Sequence, residues 1–194
     1  MKQSKVIDTR KRLLGVEHPG IFISMAHLAS IYMSQKRWNE AEQLGVQVVD
    51  MLKKLFGAEH PDIMTSMANL AVIYWKQGRL NEAEQLQVQV TDMRKKLFGV
   101  EHPDTTTSMT NLAVIYWKQG KLNEAEQLQV QVMDMRKKLF GAEHPNTMKS
   151  MKNLAVIYQD QGRLNEAEQL EIQVMDIMKL LDTEHSHTNR TSDD

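Results

Sequence analysis

The sequence predicts an all-α fold, an α-solenoid of helix-turn-helix units with a 42-residue period. Three observations predict it. One segment is written four times, starting at Leu13, Leu55, Leu97 and Leu139. Apolar residues inside each copy fall at helical spacing, and proline and glycine punctuate each copy at fixed places. A period of this size marks a stacked array, because one short unit cannot bury its apolar face alone and its neighbour must cover it. The second and third copies differ only at Ala58/Val100, Ile63/Thr105, Met64/Thr106, Ala68/Thr110, Arg79/Lys121 and Thr91/Met133. Near-identity that extends to surface residues indicates recent duplication. Such an array offers a long binding surface rather than an enclosed catalytic pocket.

The elements follow in chain order. Residues 1–12 align with the second helix of a unit, Val6, Asp8, Arg10 and Lys11 matching Val90, Asp92, Arg94 and Lys95. Repeats then occupy residues 13–54, 55–96, 97–138 and 139–182. In the second, Pro61 suits the first turn of a helix and Asp62 complements its positive end. Met67, Leu70, Ala71 and Tyr74 form one helical stripe. Gly78 stops that helix in a left-handed turn. Asn81 with Glu84 resembles a capping box opening a second helix, as do Asn39/Glu42, Asn123/Glu126 and Asn165/Glu168. Ala83, Leu86, Val90 and Met93 make the second stripe. Arg94, Lys95 and Lys96 sit at its negative end, before a glycine that closes it. The first repeat has Lys36 in place of Gly78, Gly120 and Gly162. In a left-handed turn that lysine costs about 1 kcal/mol relative to glycine. The first repeat also carries Trp38 in place of a leucine and is expected to be the loosest. Leu180-Leu181-Asp182-Thr183-Glu184-His185 starts a fifth unit one residue early, but Ser186 stands where proline belongs and the apolar stripe never comes. Residues 183–194 are expected to form a disordered polar tail.

Composition narrows the functional classes. The 194 residues carry 24 Lys+Arg against 25 Asp+Glu, a balance that calls for neither nucleic acid nor an anionic membrane. The absence of cysteine excludes disulfides, thiolate zinc sites and thiol catalysis. No apolar run is long enough to span a bilayer, and Met1-Lys2-Gln3-Ser4-Lys5 lacks a secretory apolar core. The expected location is therefore cytoplasmic, and the sequon at Asn189 reads as coincidence. Glu17-His18, Glu59-His60, Glu101-His102 and Glu143-His144 invite a metal or acid-base reading, but recurrence beside every helix start favours a loop role. Arg94-Lys95-Lys96 and Arg136-Lys137-Lys138 lack the aromatic interleaving of a nucleic-acid site. No catalytic residue, metal site or cofactor is predicted.

Leu70-Ala71, Tyr74 and Ala83 fit the core of the tetratricopeptide repeat pattern, with Met67 in its tryptophan slot. The longer unit, with Gly57-Ala58-Glu59-His60-Pro61-Asp62, Asn69-Leu70-Ala71, Tyr74 and Glu82-Ala83-Glu84, resembles the kinesin light chain-like type. The resemblance covers roughly residues 2–182. It implies a right-handed superhelix whose first helices line a concave groove. One departure stands out: the aromatic expected four residues after the second-helix alanine is Gly45, Gln87, Gln129 and Glu171. Leu86 and Val88 are expected to supply that packing.

The groove face implied by the resemblance is the side of each first helix away from its stripe. Ile23, His27, Ser30 and Ser34 fall there in the first repeat, and Thr65, Asn69, Val72 and Lys76 in the second. The third gives Thr107, Asn111, Val114 and Lys118, the fourth Lys149, Asn153, Val156 and Asp160. Asn69, Asn111 and Asn153 carry both a donor and an acceptor, so they can pair with an extended peptide's backbone without reading its sequence. The alternative is a bond inside each repeat. Trp75 and Trp117 are either exposed anchors or packing between repeats. Lys76, Lys118, Lys149 and Lys152 favour an acidic partner or form an ordinary solvated face.

The leading functional reading is a non-catalytic scaffold or adaptor holding a peptide or partner helix in its concave groove. The cargo role of kinesin light chains is implied by resemblance only. The second reading is the C-terminal sensor array of a STAND-type signalling ATPase, although no Gly-rich phosphate loop occurs in this chain. Apolar faces on the terminal helices also predict end-to-end self-association.

Overall fold

In the computed structural model, which describes residues 19–57 and 59–190, every regular element is an α-helix. They are α1 (Pro19–Ser34), α2 (Trp38–Phe56), α3 (Pro61–Lys76), α4 (Leu80–Phe98), α5 (Pro103–Lys118), α6 (Leu122–Phe140), α7 (Pro145–Asp160) and α8 (Leu164–Arg190). Odd-numbered helices are the first (A) helix of a repeat and even-numbered ones the second (B). The helix expected over residues 1–12 lies outside the described residues, as do the opening of the first repeat and residues 191–194. Two compact units divide in sequence between Leu97 and Phe98. In unit 1, α1 packs on α2 and α2 on α3; in unit 2, α5 packs on α6, α6 on α7 and α7 on α8. Ile21, Met25, Leu52, Ile63, Met67 and Val90 belong to the unit 1 core. Met109, Ala113, Ala125, Val132, Met151 and Leu154 are buried in unit 2.

The A helices start as the prolines require, with Pro61, Pro103 and Pro145 in the first turn. Glu17-His18 lies outside the described residues; in the other three Glu-His pairs the histidine is the N-cap. His60 Nδ1 accepts from the Asp62 N–H at 3.3 Å, and His102 and His144 accept from residues 104 and 146 at 3.1 Å. Their rings stack on Phe56, Phe98 and Phe140, centroids 4.6 to 4.7 Å apart. The preceding glutamates take the cations at the B-helix ends: Glu59 binds Lys96 and Glu101 binds Lys138, each at 2.6 Å. The loop role read from these pairs is thus specific. It satisfies a helix N-terminus and ties it to the far end of the following B helix.

The turn after each A helix is left-handed, with φ of 79° at Gly78, 76° at Gly120 and 77° at Gly162. Lys36 holds the same conformation with φ 59°.

The asparagines of the expected capping boxes are not the N-caps. The B helices begin at Trp38, Leu80, Leu122 and Leu164, one residue before each asparagine, so the asparagine already lies inside the first turn. The left-handed turn places Arg37 and Lys121 at the N-cap, where neither makes a side-chain capping bond. Arg79 and Arg163 occupy the equivalent place, their carbonyls accepting from Ala83 and Ala167 at 3.1 Å. Asn39/Glu42 and Asn123/Glu126 are used between repeats instead. In unit 1, Arg79 reaches Glu42 at 2.7 Å and Glu82 at 2.5 Å, and its guanidinium lies 4.1 Å from the Tyr74 ring centre. Gln77 adds donations to Glu42 at 2.8 Å and Asn39 at 3.2 Å. Unit 2 repeats the lock with Arg163 on Glu126 at 2.7 Å, Glu166 at 2.6 Å and Tyr158 at 4.0 Å.

Backbone helix continues through 183–190, where a disordered tail was expected. The physical reason is that no glycine or proline interrupts residues 164–190, whereas Gly57, Gly99 and Gly141 close the earlier B helices in positive φ.

Two outcomes follow. Lys36→Gly relieves the left-handed lysine and should stabilise the protein by about 1 kcal/mol, read as a higher denaturation midpoint in urea at unchanged m-value. Partial burial by itself raises the Glu126 carboxyl, but hydrogen bonds from Arg163 and Gln161 together outweigh it and hold it below its ordinary value. A carboxylate depressed in the folded state contributes stability above its unfolded pKa and loses it as pH falls through the folded one. Thermal stability should therefore fall in acid, below the ordinary glutamate range, and Glu126→Gln should flatten that dependence while lowering stability at neutral pH.

Candidate peptide-binding face

The A helices carry a polar side because their stripes point inward. In unit 1, Ile23, His27, Ser30 and Ser34 of α1 and Thr65, Asn69 and Lys76 of α3 lie on this side, with Val72 and Trp75 half-buried. In unit 2, Thr107 and Lys118 of α5 lie there, while Asn111, Val114 and Trp117 are less open to solvent. On α7, Lys149, Lys152, Val156 and Asp160 share the side with Asn153, which is half-buried.

Each unit holds a cavity between its consecutive A helices, floored by the B helix between them. The unit 1 cavity is about 140 Å³ and is lined by Ala29, Ser30, Met33, Gly45, Asn69 and Ile73 among others. The unit 2 cavity is about 180 Å³, lined by Ala113, Val114, Trp117, Gln129, Asn153, Val156 and Ile157. The two correspond position for position, two repeats apart: Ala29 with Ala113, Ser30 with Val114, Met33 with Trp117, Gly45 with Gln129, Asn69 with Asn153, Ile73 with Ile157. Cavities near 150 Å³ with apolar walls accept a molecule the size of benzene. Among the described residues, the side chains of Asn69, Asn111 and Asn153 make no hydrogen bond, so no bond inside the repeat engages their amides.

The floors differ. Any side chain at Gly45 would bring its Cβ to 3.2 Å from Leu70 Cδ1, and glycine lets that leucine close the base. Gln129 is wholly buried; its Nε2 donates to the Ser150 carbonyl at 3.0 Å, and its Oε1 has no partner among the described residues. The place of the missing family aromatic is therefore filled by Gln87 and Gln129 themselves, while Leu86 and Val88 stay half-buried. A glutamine matches an aromatic poorly in composition but has the length to cross to the next A helix. Its polar end meets the Ser150 carbonyl there.

The basic cluster is corrected likewise. Arg136 is not a solvated helix-end cation: it is buried, donates to Ser150 Oγ at 2.8 Å and to the Asn146 carbonyl at 3.3 Å, and burial pushes its pKa down. One repeat earlier Arg94 is buried as well, and two repeats earlier the equivalent residue is Leu52, buried in the core with Ile63 and Met64.

Charge and aromatic groups meet on this face. Lys76 lies 4.0 Å from the Trp75 ring centre and Lys118 3.9 Å from that of Trp117. Trp117 Nε1 donates to Asp160 Oδ2, one repeat onward. Of the residues singled out from sequence, Trp117 and Asn153 share one cavity, with Lys118 on the tryptophan; Asn69 lines the other. Asn111 lines neither of these two, and Lys149 and Lys152 stand on α7 outside both. Gln129 was missed as a cavity residue because the pattern assigned its place to packing.

These features define an α-helical repeat scaffold of the protein-interaction class. The chain belongs to the tetratricopeptide repeat family, whose pattern matches residues 21–96, 69–138 and 104–179. It is similar to crystal structures of a Podospora anserina protein with nearly identical tetratricopeptide-like repeats, provisionally described as a kinesin light chain. A variant of that protein, with one glutamine changed to methionine, shares 33% identity over 93% of this chain and 85% of that one, with a TM-score of 0.85. The form without that change shares 34% over 91% and 83%, with a TM-score of 0.81. BtubC (BKLC) of P. vanneervenii, 17% identical over 93% of this chain and 72% of its own, shares the fold with a TM-score of 0.82. The repeats are of the kinesin light chain-like type, and the fold class is the all-α solenoid of that family. No curated protein matches the sequence. No helix among the described residues is long and apolar enough to cross a membrane.

Arg136→Ala should destabilise by about 2 kcal/mol, because it empties space between α6 and α7. Arg136→Leu, which installs the residue found at position 52, should recover most of that, since a well-packed apolar side chain can replace a buried charge at little cost. Urea melts of the two variants check the difference.

Proposed function

We propose that the chain is a non-catalytic adaptor that holds an extended peptide or a partner helix along its A-helix faces, in the concave groove such arrays form. One observation carries this reading: the same cavity recurs in both units with an unengaged asparagine among its lining residues. A recurring apolar cavity takes successive side chains, and an amide at each takes the backbone between them. Lys76, Lys118, Lys149 and Lys152 favour an acidic partner. The cargo-adaptor role of kinesin light chains is the nearest functional parallel. Near-identity of the second and third repeats favours the sensor array of a STAND-type ATPase as the second reading, and the gene upstream decides between them: a heptad coiled coil for the first, a nucleotide-binding module for the second.

The test begins with capture of a partner on the intact chain and its identification by mass spectrometry. Replacing Asn69, Asn111 and Asn153 together by alanine should then weaken that complex about a hundredfold, at roughly 1 kcal/mol per hydrogen bond, with the helical circular dichroism unchanged. Unaltered affinity would remove the asparagine ladder from the mechanism.

A further inference from the structure

Asp160 is out of place by the logic of its own helix. It ends α7, where the backbone carbonyls present partial negative charge and a cation is favoured. Lys76 and Lys118 obey that preference at the ends of α3 and α5. At Asp160 the sequence has reversed the charge, and the structure shows what the carboxylate reaches: the indole N–H of Trp117. Trp117 is a wall of the unit 2 cavity, and its ring also carries Lys118 at 3.9 Å. The carboxylate therefore occupies the indole donor of a cavity wall, on a ring whose face already carries Lys118.

We infer that Asp160 is the specificity-determining residue of the unit 2 cavity, turning it against acidic side chains and toward apolar ones with neutral or basic neighbours. The inference rests on the groove reading above and refines it. A ligand carboxylate approaching Trp117 meets an indole hydrogen already engaged and, in Asp160, a like charge that offsets the attraction of Lys118 on the same ring. An apolar side chain meets Ala113, Val114, Val156 and Ile157 and needs neither. Asp160 offsets Lys118 at this cavity, and the cations of α7 that no such carboxylate faces are Lys149 and Lys152, which stand outside the cavity and earlier on the helix.

The experiment uses the full chain with two probes: a short peptide with a central leucine between glutamates, and the same peptide with lysines. Asp160→Lys installs the residue found at 76 and 118, and Asp160→Asn keeps an oxygen for the indole while removing the charge. Asp160→Lys should tighten the glutamate peptide about tenfold at low salt and weaken the lysine peptide, with Asp160→Asn between, the differences shrinking as salt rises. The same variant should melt higher than the parent, because the helix end gains its preferred charge. Affinities for both probes within twofold of the parent overturn the role of Asp160 and leave the groove reading standing. Failure of every variant to bind either probe removes the groove reading, and this inference with it.

Discussion

The lock between consecutive B-helix entries is the interaction on which the rest of each unit depends. Arg79 joins Tyr74 of its own repeat, Glu82 of the helix it opens and Glu42 of the repeat before. Arg163 does the same with Tyr158, Glu166 and Glu126. Separately these are surface contacts worth little, since exposed pairs contribute about 0–1 kcal/mol. Their value lies in being made together by one planar guanidinium, which fixes direction as well as distance. That direction is set by the left-handed residue just before it, because the turn at Gly78 or Gly162 brings the arginine under the tyrosine and across to the earlier repeat. Consecutive A helices are spaced by this polar lock on one edge and by buried side chains on the other. The cavities between them inherit that spacing.

How far the sequence discloses this can be argued residue by residue. Helix identity, the proline starts and the left-handed turns were legible, because proline, glycine and apolar spacing act locally and leave the same mark in every copy. Asn39/Glu42 was misread because the same pair of residue types serves as a cap in one chain and as an inter-repeat acceptor in another. The two uses differ by one residue of helix start, which the turn sets and the pair does not. A better signal was present: Arg79 and Arg163 follow a tyrosine by five residues and precede a glutamate by three. The burial of Arg136 was hidden for a different reason. It sits in a run of cations at a helix end, where solvated charge is the ordinary outcome, and only the neighbouring Ser150 and Asn146 distinguish it.

The junctions inside the two units show that one backbone arrangement accepts opposite chemistry. Between α2 and α3 the contact is apolar, with Leu52, Ile63 and Met64 buried and Gly45 admitting Leu70. Between α6 and α7 Met148 keeps the place of Met64, the other three positions carry Arg136, Thr147 and Gln129, and hydrogen bonds to Ser150 replace the lost apolar contact. The serine and the methionine are common to both junctions, as Ser66/Ser150 and Met64/Met148, so the change rests on three positions: an arginine beside Ile63 would lose the polar neighbour that Thr147 gives Arg136. A junction can therefore change at a few positions around a constant serine and methionine, which lets copies diverge while the repeat geometry stays fixed.

The same separation applies to the binding face. Six cavity positions correspond between the units, and three of them, Ala29/Ala113, Asn69/Asn153 and Ile73/Ile157, are unchanged in residue type. The remaining three, Ser30/Val114, Met33/Trp117 and Gly45/Gln129, vary the cavity's wall and floor without altering any residue that the Arg79 or Arg163 lock uses. Methionine is adaptable, whereas tryptophan offers a rigid face and a single donor that a neighbouring repeat can occupy, as Asp160 does. A chain assembled from nearly identical copies thus presents non-identical sites, because the residues that space the helices and the residues that line the cavities occupy separate positions of the repeat.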